Sequence, residues 1–107
     1  MPEPVDQPLR IEQRPGERIL ALDGELDMAD TEALVEATAA FAPKPGDLTL
    51  DLSRLTFIDS SGLLALLRIA DQMSDGRLIL LRPTQQVQKV FDMVELAAVS
   101  PHIVIAD

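Results

Sequence analysis

Apolar and polar residues change period several times along this 107-residue chain, and each change marks an element. Leu9 and Ile11 alternate with Arg10 and Glu12 up to Arg14-Pro15-Gly16-Glu17. Pro presets the second position of a type II turn and Gly supplies the positive φ of the third, so the pattern predicts a hairpin. Its return strand, Ile19-Leu20-Ala21-Leu22, is continuously apolar, as in a strand covered on both faces, which leaves the first strand at the sheet edge. After Gly24 the period becomes helical: Leu34, Ala37 and Phe41 share one face, and Asp30, Glu32 and Glu36 point elsewhere. Asp27 is the expected N-cap, Asp30 adds negative charge where the helix dipole favours it, and Pro43, Pro45 and Gly46 end the helix.

Leu48, Leu50 and Leu52 alternate with Thr49 and Asp51 in a strand that continues through Leu55, Phe57 and Ile58 to Asp59-Ser60-Ser61-Gly62. A helix follows at once, with Leu63, Leu66, Leu67 and Ala70 as its apolar face, and Asp75-Gly76 turns the chain out. Leu78 to Leu81 reads as a buried strand. Thr84 then caps a third helix with the core stripe Val87, Val90, Phe91 and Val94, and Pro101 precedes a final strand, Ile103-Val104-Ile105. The order β-β-α-β-α-β-α-β predicts an α/β fold: a mixed, mostly parallel sheet with an N-terminal antiparallel hairpin and helices packed on it. One domain is expected over residues 1–107, with residues 1–8 a loose segment.

Composition narrows the chemistry. Apolar residues make up 47% and charged residues 25% of the chain, which excludes global disorder. Eighteen acidic against nine basic residues give a net charge of −9, a field that repels nucleic acid and anionic lipid surfaces. No apolar run approaches the roughly 18 residues of a membrane span, and Met1 to Leu9 lacks the basic and apolar regions of a secretory signal, so a cytoplasmic location without membrane insertion is expected. Without Cys there is no thiol catalysis or thiolate metal site, and His102 is the one imidazole for general-base work. No catalytic residue, metal site or cofactor is therefore assigned.

Two polar clusters follow strand ends, where open α/β sheets build their sites: Gly24-Glu25-Leu26-Asp27 and Asp59-Ser60-Ser61-Gly62. The second opens a helix, where unpaired N–H groups and the positive dipole end would accept a phosphoryl group on either hydroxyl. The same residue types also serve as an ordinary helix cap. A nucleophile elbow is absent around Ser60 and Ser61, which disfavours a small hydrolase. A calcium loop starting at Asp23 fails because Met28 and Leu34 occupy the positions that need Gly and an acid. Between Ile19 and Pro43 the chain carries Asp23, Glu25, Asp27, Asp30, Glu32 and Glu36 with no Lys or Arg, which reads either as a solvated helix face or as an acidic docking patch.

Gly24-Glu25-Leu26-Asp27, the stretch from Leu50 through Asp59-Ser60-Ser61-Gly62 to Leu63, and Val90-Phe91-Asp92-Met93 together resemble STAS-domain proteins, and more closely bacterial anti-sigma factor antagonists. The resemblance covers about residues 9 to 105. It implies a non-enzymatic partner switch. The unphosphorylated form would bind a cognate anti-sigma factor with serine kinase activity and so free a sigma factor. Phosphorylation would end that binding, and a serine phosphatase would restore it. By position Ser60 is the implied acceptor, with Ser61 as the alternative and mainly a cap, and Asp23, Glu25, Asp27, Asp59, Ser60, Ser61 and Gly62 are the implied partner surface. An accessory subunit of a lipid or anion transporter is the alternative reading of the same resemblance. The chain departs from the family in having Val94-Glu95 where Ser-Gly is usual, which removes the glycine that favours a left-handed helix end. It departs again after the last strand, where the family usually has a further helix and one sheet face is expected to be thinly covered or to meet a partner.

Overall fold

The computed structural model describes residues 8–41, 45–73 and 75–107. The expected loose segment up to residue 7 and the helix stop at Pro43 lie outside the described residues. The chain forms β1 (Arg10–Gln13), β2 (Ile19–Leu26), α1 (Thr31–Ala39), β3 (Leu48–Ile58), α2 (Ser60–Gln72), β4 (Leu78–Leu81), α3 (Gln85–Val94), α4 (Leu96–Val99) and β5 (Ile103–Ala106). The five strands make one sheet in sequence order, with β1 antiparallel to β2 and the other pairs parallel. The expected α/β order is thus observed, with one addition: the single turn α4 between the third helix and the last strand.

Local chemistry accounts for most element ends. The Glu17 N–H donates to the Arg14 carbonyl at 3.1 Å and Gly16 has φ 76°, so the hairpin turn forms as Pro15-Gly16 dictates. The Thr84 hydroxyl accepts from the Val87 N–H, capping α3 as expected. At α1 the expectation is corrected. The N-cap is Asp30, without a side-chain cap bond, because the Asp27 carboxylate is used two residues earlier to accept from the Ala29 N–H at 3.0 Å.

All helices contribute to one core against one face of the sheet. Leu20, Leu22 and Leu26 of β2, Leu48, Leu50, Leu52, Leu55 and Ile58 of β3, and Leu78 and Leu80 of β4 are buried there, with Leu34, Leu66, Ile69, Val87 and Phe91 from the helices. The alternate strand positions, including Ile19, Ala21, Ile79 and Leu81, are only half-buried. β2 is therefore not covered on both faces, and its continuous apolar run reflects a thinly covered second face. On α2 the core side is Gly62, Ala65, Leu66, Ile69 and Ala70, so Leu63 and Leu67 lie at its margin. On α3 Val87 and Phe91 are buried, whereas Val90 is half-buried and Val94 exposed.

The leucines of β3 explain its length. They are spaced by two up to Leu52 and then by three to Leu55 and Ile58. The register against β2 slips at the same two places, between Ala21 and Asp23 and between Gly24 and Glu25. Each slip is a bulge that adds one residue to β3, so the apolar residues return to the core while Ser53, Arg54, Thr56 and Phe57 stay outside.

On the open face Asp51 is 5% exposed, and its carboxylate accepts from Arg14 Nη2 at 2.7 Å and from the Ser53 N–H at 3.0 Å. Burial pushes this carboxyl up, but the Ser53 hydrogen bonds and the Arg14 guanidinium outweigh it and hold it below the usual carboxylate range. The pair ties the end of the hairpin to the central strand.

Glu95 takes the place of the family's usual glycine and still adopts the left-handed conformation, φ 50° and ψ 52°, with its N–H on the carbonyls of Phe91 and Asp92. The helix end is therefore set by its hydrogen bonds and by burial of Leu96 just beyond, and a non-glycine residue bears the strain.

Glu95→Gly should raise stability by about 0.5–1 kcal/mol, the left-handed penalty relieved less the added freedom of the unfolded chain, as a higher urea midpoint; a lower midpoint would refute the strain. Because the Asp51 carboxyl is lowered on folding, its stabilisation is complete above about pH 4 and is lost as pH falls through the folded value. Asp51→Asn should be less stable at pH 7 and should lose stability less steeply below about pH 4 than the parent protein; parallel acid limbs would contradict this.

Candidate functional site

The carboxyl ends of β2 and β3 lie side by side, with Leu26 registered on Ile58, so the loop entering α1 and the start of α2 are neighbours. Three contacts fix that junction. The Asp59 N–H donates to the Leu26 carbonyl at 3.3 Å, the Thr56 hydroxyl donates to the Gly24 carbonyl at 3.1 Å, and Gly62 packs directly on both strands. A Cβ at Gly62 would stand 2.6 Å from Ile58 Cγ1 and 2.9 Å from the Leu26 carbonyl oxygen. Glycine is needed here for close approach, and the absent side chain lets the helix start against the strand ends.

Asp59 is the N-cap of α2: its Oδ1 accepts from the Gly62 N–H at 3.0 Å and its carbonyl from the Leu63 N–H at 3.0 Å. Ser61 is thus the second residue of the helix and is not its cap, which corrects the expectation. Ser60 is the first residue and is exposed, Ser61 is half-buried, and neither hydroxyl has a hydrogen-bond partner among the described residues. The Ser60 and Ser61 N–H groups remain as open donors at the positive end of the helix. Exposed apolar residues occur at this end of the sheet: Leu64, one turn along α2 from Ser60, is 62% exposed, and Met28, in the loop after β2, is 73% exposed.

The structure brings Asp27, Asp59, Ser60 and Ser61 together at this end of the sheet. Gly62 belongs to the same motif but is buried, so it positions the site without presenting a surface. Asp23 and Glu25 lie elsewhere. Strand alternation turns both toward the open face, where Asp23 meets Arg10 at 3.8 Å and Arg54 at 4.0 Å. Glu32 on α1 pairs with Arg68 on α2 at 3.3 Å. The acidic run is therefore divided among the open face, the loop and α1, because it crosses from a strand of period two into a helix. His102, in the turn before β5, sits at the opposite end of the parallel strands, about 25–30 Å from Ser60 by the rise of β3. No imidazole therefore supports either serine as a nucleophile.

Residues 8–104 match the family model described as the STAS domain. Among solved structures, the anti-sigma factor antagonist SpoIIAA in its unphosphorylated form is similar at 28% identity and a TM-score of 0.70, over 92% of this chain and 88% of that one. A putative anti-sigma factor antagonist from Thermotoga maritima (20% identity, TM-score 0.65, 94% of this chain and 85% of that one) shares the fold. An anti-sigma factor antagonist from Mycobacterium paratuberculosis (23%, 0.65, 89% and 82%) shares it too. No relative of curated function matches the sequence. No helix among the described residues is long and apolar enough to cross a membrane.

The geometry makes Gly62 a structural test of the site. Gly62→Ala should cost about 1–3 kcal/mol through overpacking against Ile58 and the Leu26 carbonyl, read as a lowered urea midpoint. An unchanged midpoint would contradict the close approach.

Proposed function

The chain belongs to the STAS domain family, and from that footing we propose that it is an anti-sigma factor antagonist switched by phosphorylation of Ser60. In its unmodified form it captures an anti-sigma factor that is itself a serine kinase, and so releases a sigma factor. The observation that carries the reading is the exposed Ser60 hydroxyl at the start of α2, without a hydrogen-bond partner among the described residues and with exposed Leu64 one turn along the helix. The likeness to SpoIIAA over most of both chains supports the partner class.

Phosphoryl transfer has the Ser60 Oγ attack the terminal phosphorus of a nucleotide held by the partner. The Oγ–P bond forms, the bridging P–O bond breaks, the nucleoside diphosphate leaves and the serine proton passes to a base. That base belongs to the partner, because the Asp59 carboxylate is engaged on the Gly62 N–H and His102 is remote. Kinase and binding partner are then one protein, and the reaction product is the form that dissociates.

Dissociation follows from charge and solvation. A neutral hydroxyl beside an exposed leucine suits a closely packed interface. Phosphate adds about −1.5 to −2 charge beside Asp59 and near Asp27, and its oxygens need water or cations that an interface shaped for a hydroxyl lacks. The penalty is comparable to burying an unpaired charge, about 3–5 kcal/mol, which is at least a hundredfold in affinity. The helix dipole offsets only about 0.3–1 kcal/mol of this. A serine phosphatase acting on phospho-Ser60 resets the switch.

Affinity capture from native lysate with parallel baits tests the reading. The parent protein and Ser60→Ala should retain an ATPase of the histidine-kinase type, and Ser60→Glu should lose it by about a hundredfold or more. Equal retention by all three would sink the switch, and a transporter ATPase held equally by all would favour the accessory-subunit reading.

A further inference from the structure

We propose that the open face of the sheet carries a second site, a groove that binds a small phosphate-bearing anion through Arg10, Arg54 and Arg82. The chain has nine basic residues against eighteen acidic ones, yet four of the nine, these three and Arg14, line one concave space of about 720 Å³. That volume lies within the roughly 300–1,000 Å³ of small-ligand sites.

The four arginines are not equivalent. Arg14 is committed to buried Asp51 at 2.7 Å and forms a fixed wall. Arg10 and Arg54 approach the same Asp23 carboxylate at 3.8 and 4.0 Å, beyond hydrogen-bonding distance, and both side chains are about four-fifths exposed. Their N–H donors face the groove unspent. The Arg82 side chain has no hydrogen-bond or ion-pair partner among the described residues. Its backbone is left-handed at φ 53°, with the N–H bonded to the Ala106 carbonyl at 2.7 Å, which anchors the Cα of this cation just beyond β4.

Charged residues on an exposed edge strand ordinarily guard against edge-to-edge pairing, and Arg10 on β1 fits that purpose. Arg54 and Arg82 do not, because β3 is an interior strand and Arg82 directly follows β4, which is also interior. Arg54 reaches the groove through the β3 bulge, a local distortion of the central strand. Arg10 from β1, Arg54 from β3 and Arg82 from just beyond β4 line the same groove, and guanidinium groups pair with phosphate oxygens through two parallel N–H donors. Glu12 and Asp23 also line the groove, so three arginines outside the Arg14–Asp51 pair face two carboxylates, and a bound anion takes the place of Asp23 between Arg10 and Arg54. The site stands apart from Ser60, so it does not rest on the phosphorylation reading.

The test is a titration of the full-length 15N-labelled protein with inorganic phosphate and pyrophosphate, at constant ionic strength held with chloride. Saturable shifts of the Nε–H signals of Arg10, Arg54 and Arg82 are expected, with the amides of Ser60 and Ser61 unmoved. The double variant Arg54→Gln/Arg82→Gln, its fold checked by the same spectrum, should raise the apparent Kd by at least about tenfold. Non-saturating shifts, equal shifts with chloride alone, or shifts centred on Ser60 would overturn the proposal. A hexaglutamate peptide that saturates the groove at lower concentration than pyrophosphate would overturn it in favour of an acidic protein segment.

Discussion

The contact of Gly62 with the Leu26 carbonyl and Ile58 is the constraint on which the rest of the site depends. It sets the first turn of α2 directly on the ends of two parallel strands, closer than any residue with a Cβ allows without displacement. From that contact the Asp59 N–H reaches the Leu26 carbonyl, the Asp59 carboxylate closes the cap on the Gly62 N–H, and Ser60 is left pointing out with open backbone donors beside it. A serine hydroxyl is thereby displayed at the start of a helix, and the loop carrying Asp27 and Met28 follows the neighbouring strand end.

The two faces of the sheet do different work. One carries the single apolar core, aliphatic apart from Phe91, with no contribution from Trp, Tyr or Cys. The other is half-covered and carries charge, where the Arg14–Asp51 pair fastens the hairpin and the bulges of β3 turn Ser53, Arg54, Thr56 and Phe57 outward. The net charge of −9 therefore conceals a local concentration of arginines, because net charge carries no information about which face a residue occupies.

Residues whose effect is local were legible in the sequence. Pro15-Gly16 specifies its turn, Thr84 its cap, and Asp59 through Gly62 a helix start after a strand, whatever else the chain does. Errors came where a partner elsewhere decides the outcome. Asp27 bonds within its own turn and leaves Asp30 as the N-cap of α1, and Gly62 draws α2 inward so that Ala65 and Ile69 displace Leu63 and Leu67 from its core side. The acidic run looked continuous because a linear pattern does not record that Asp23 and Glu25 alternate on a strand. The arginine groove was missed altogether, since its members are scattered from residue 10 to residue 82. One signal was available: the change of leucine spacing from two to three after Leu52 announces the bulges that put Arg54 on the open face.

Phosphopeptide mapping of the protein isolated from its native cells, before and after incubation with the captured kinase, decides whether Ser60 is the phosphoryl acceptor. A single phosphate on Ser60 that increases on incubation is expected. Phosphate on Ser61 alone, on another residue, or on none after incubation with a kinase that binds the protein would contradict it.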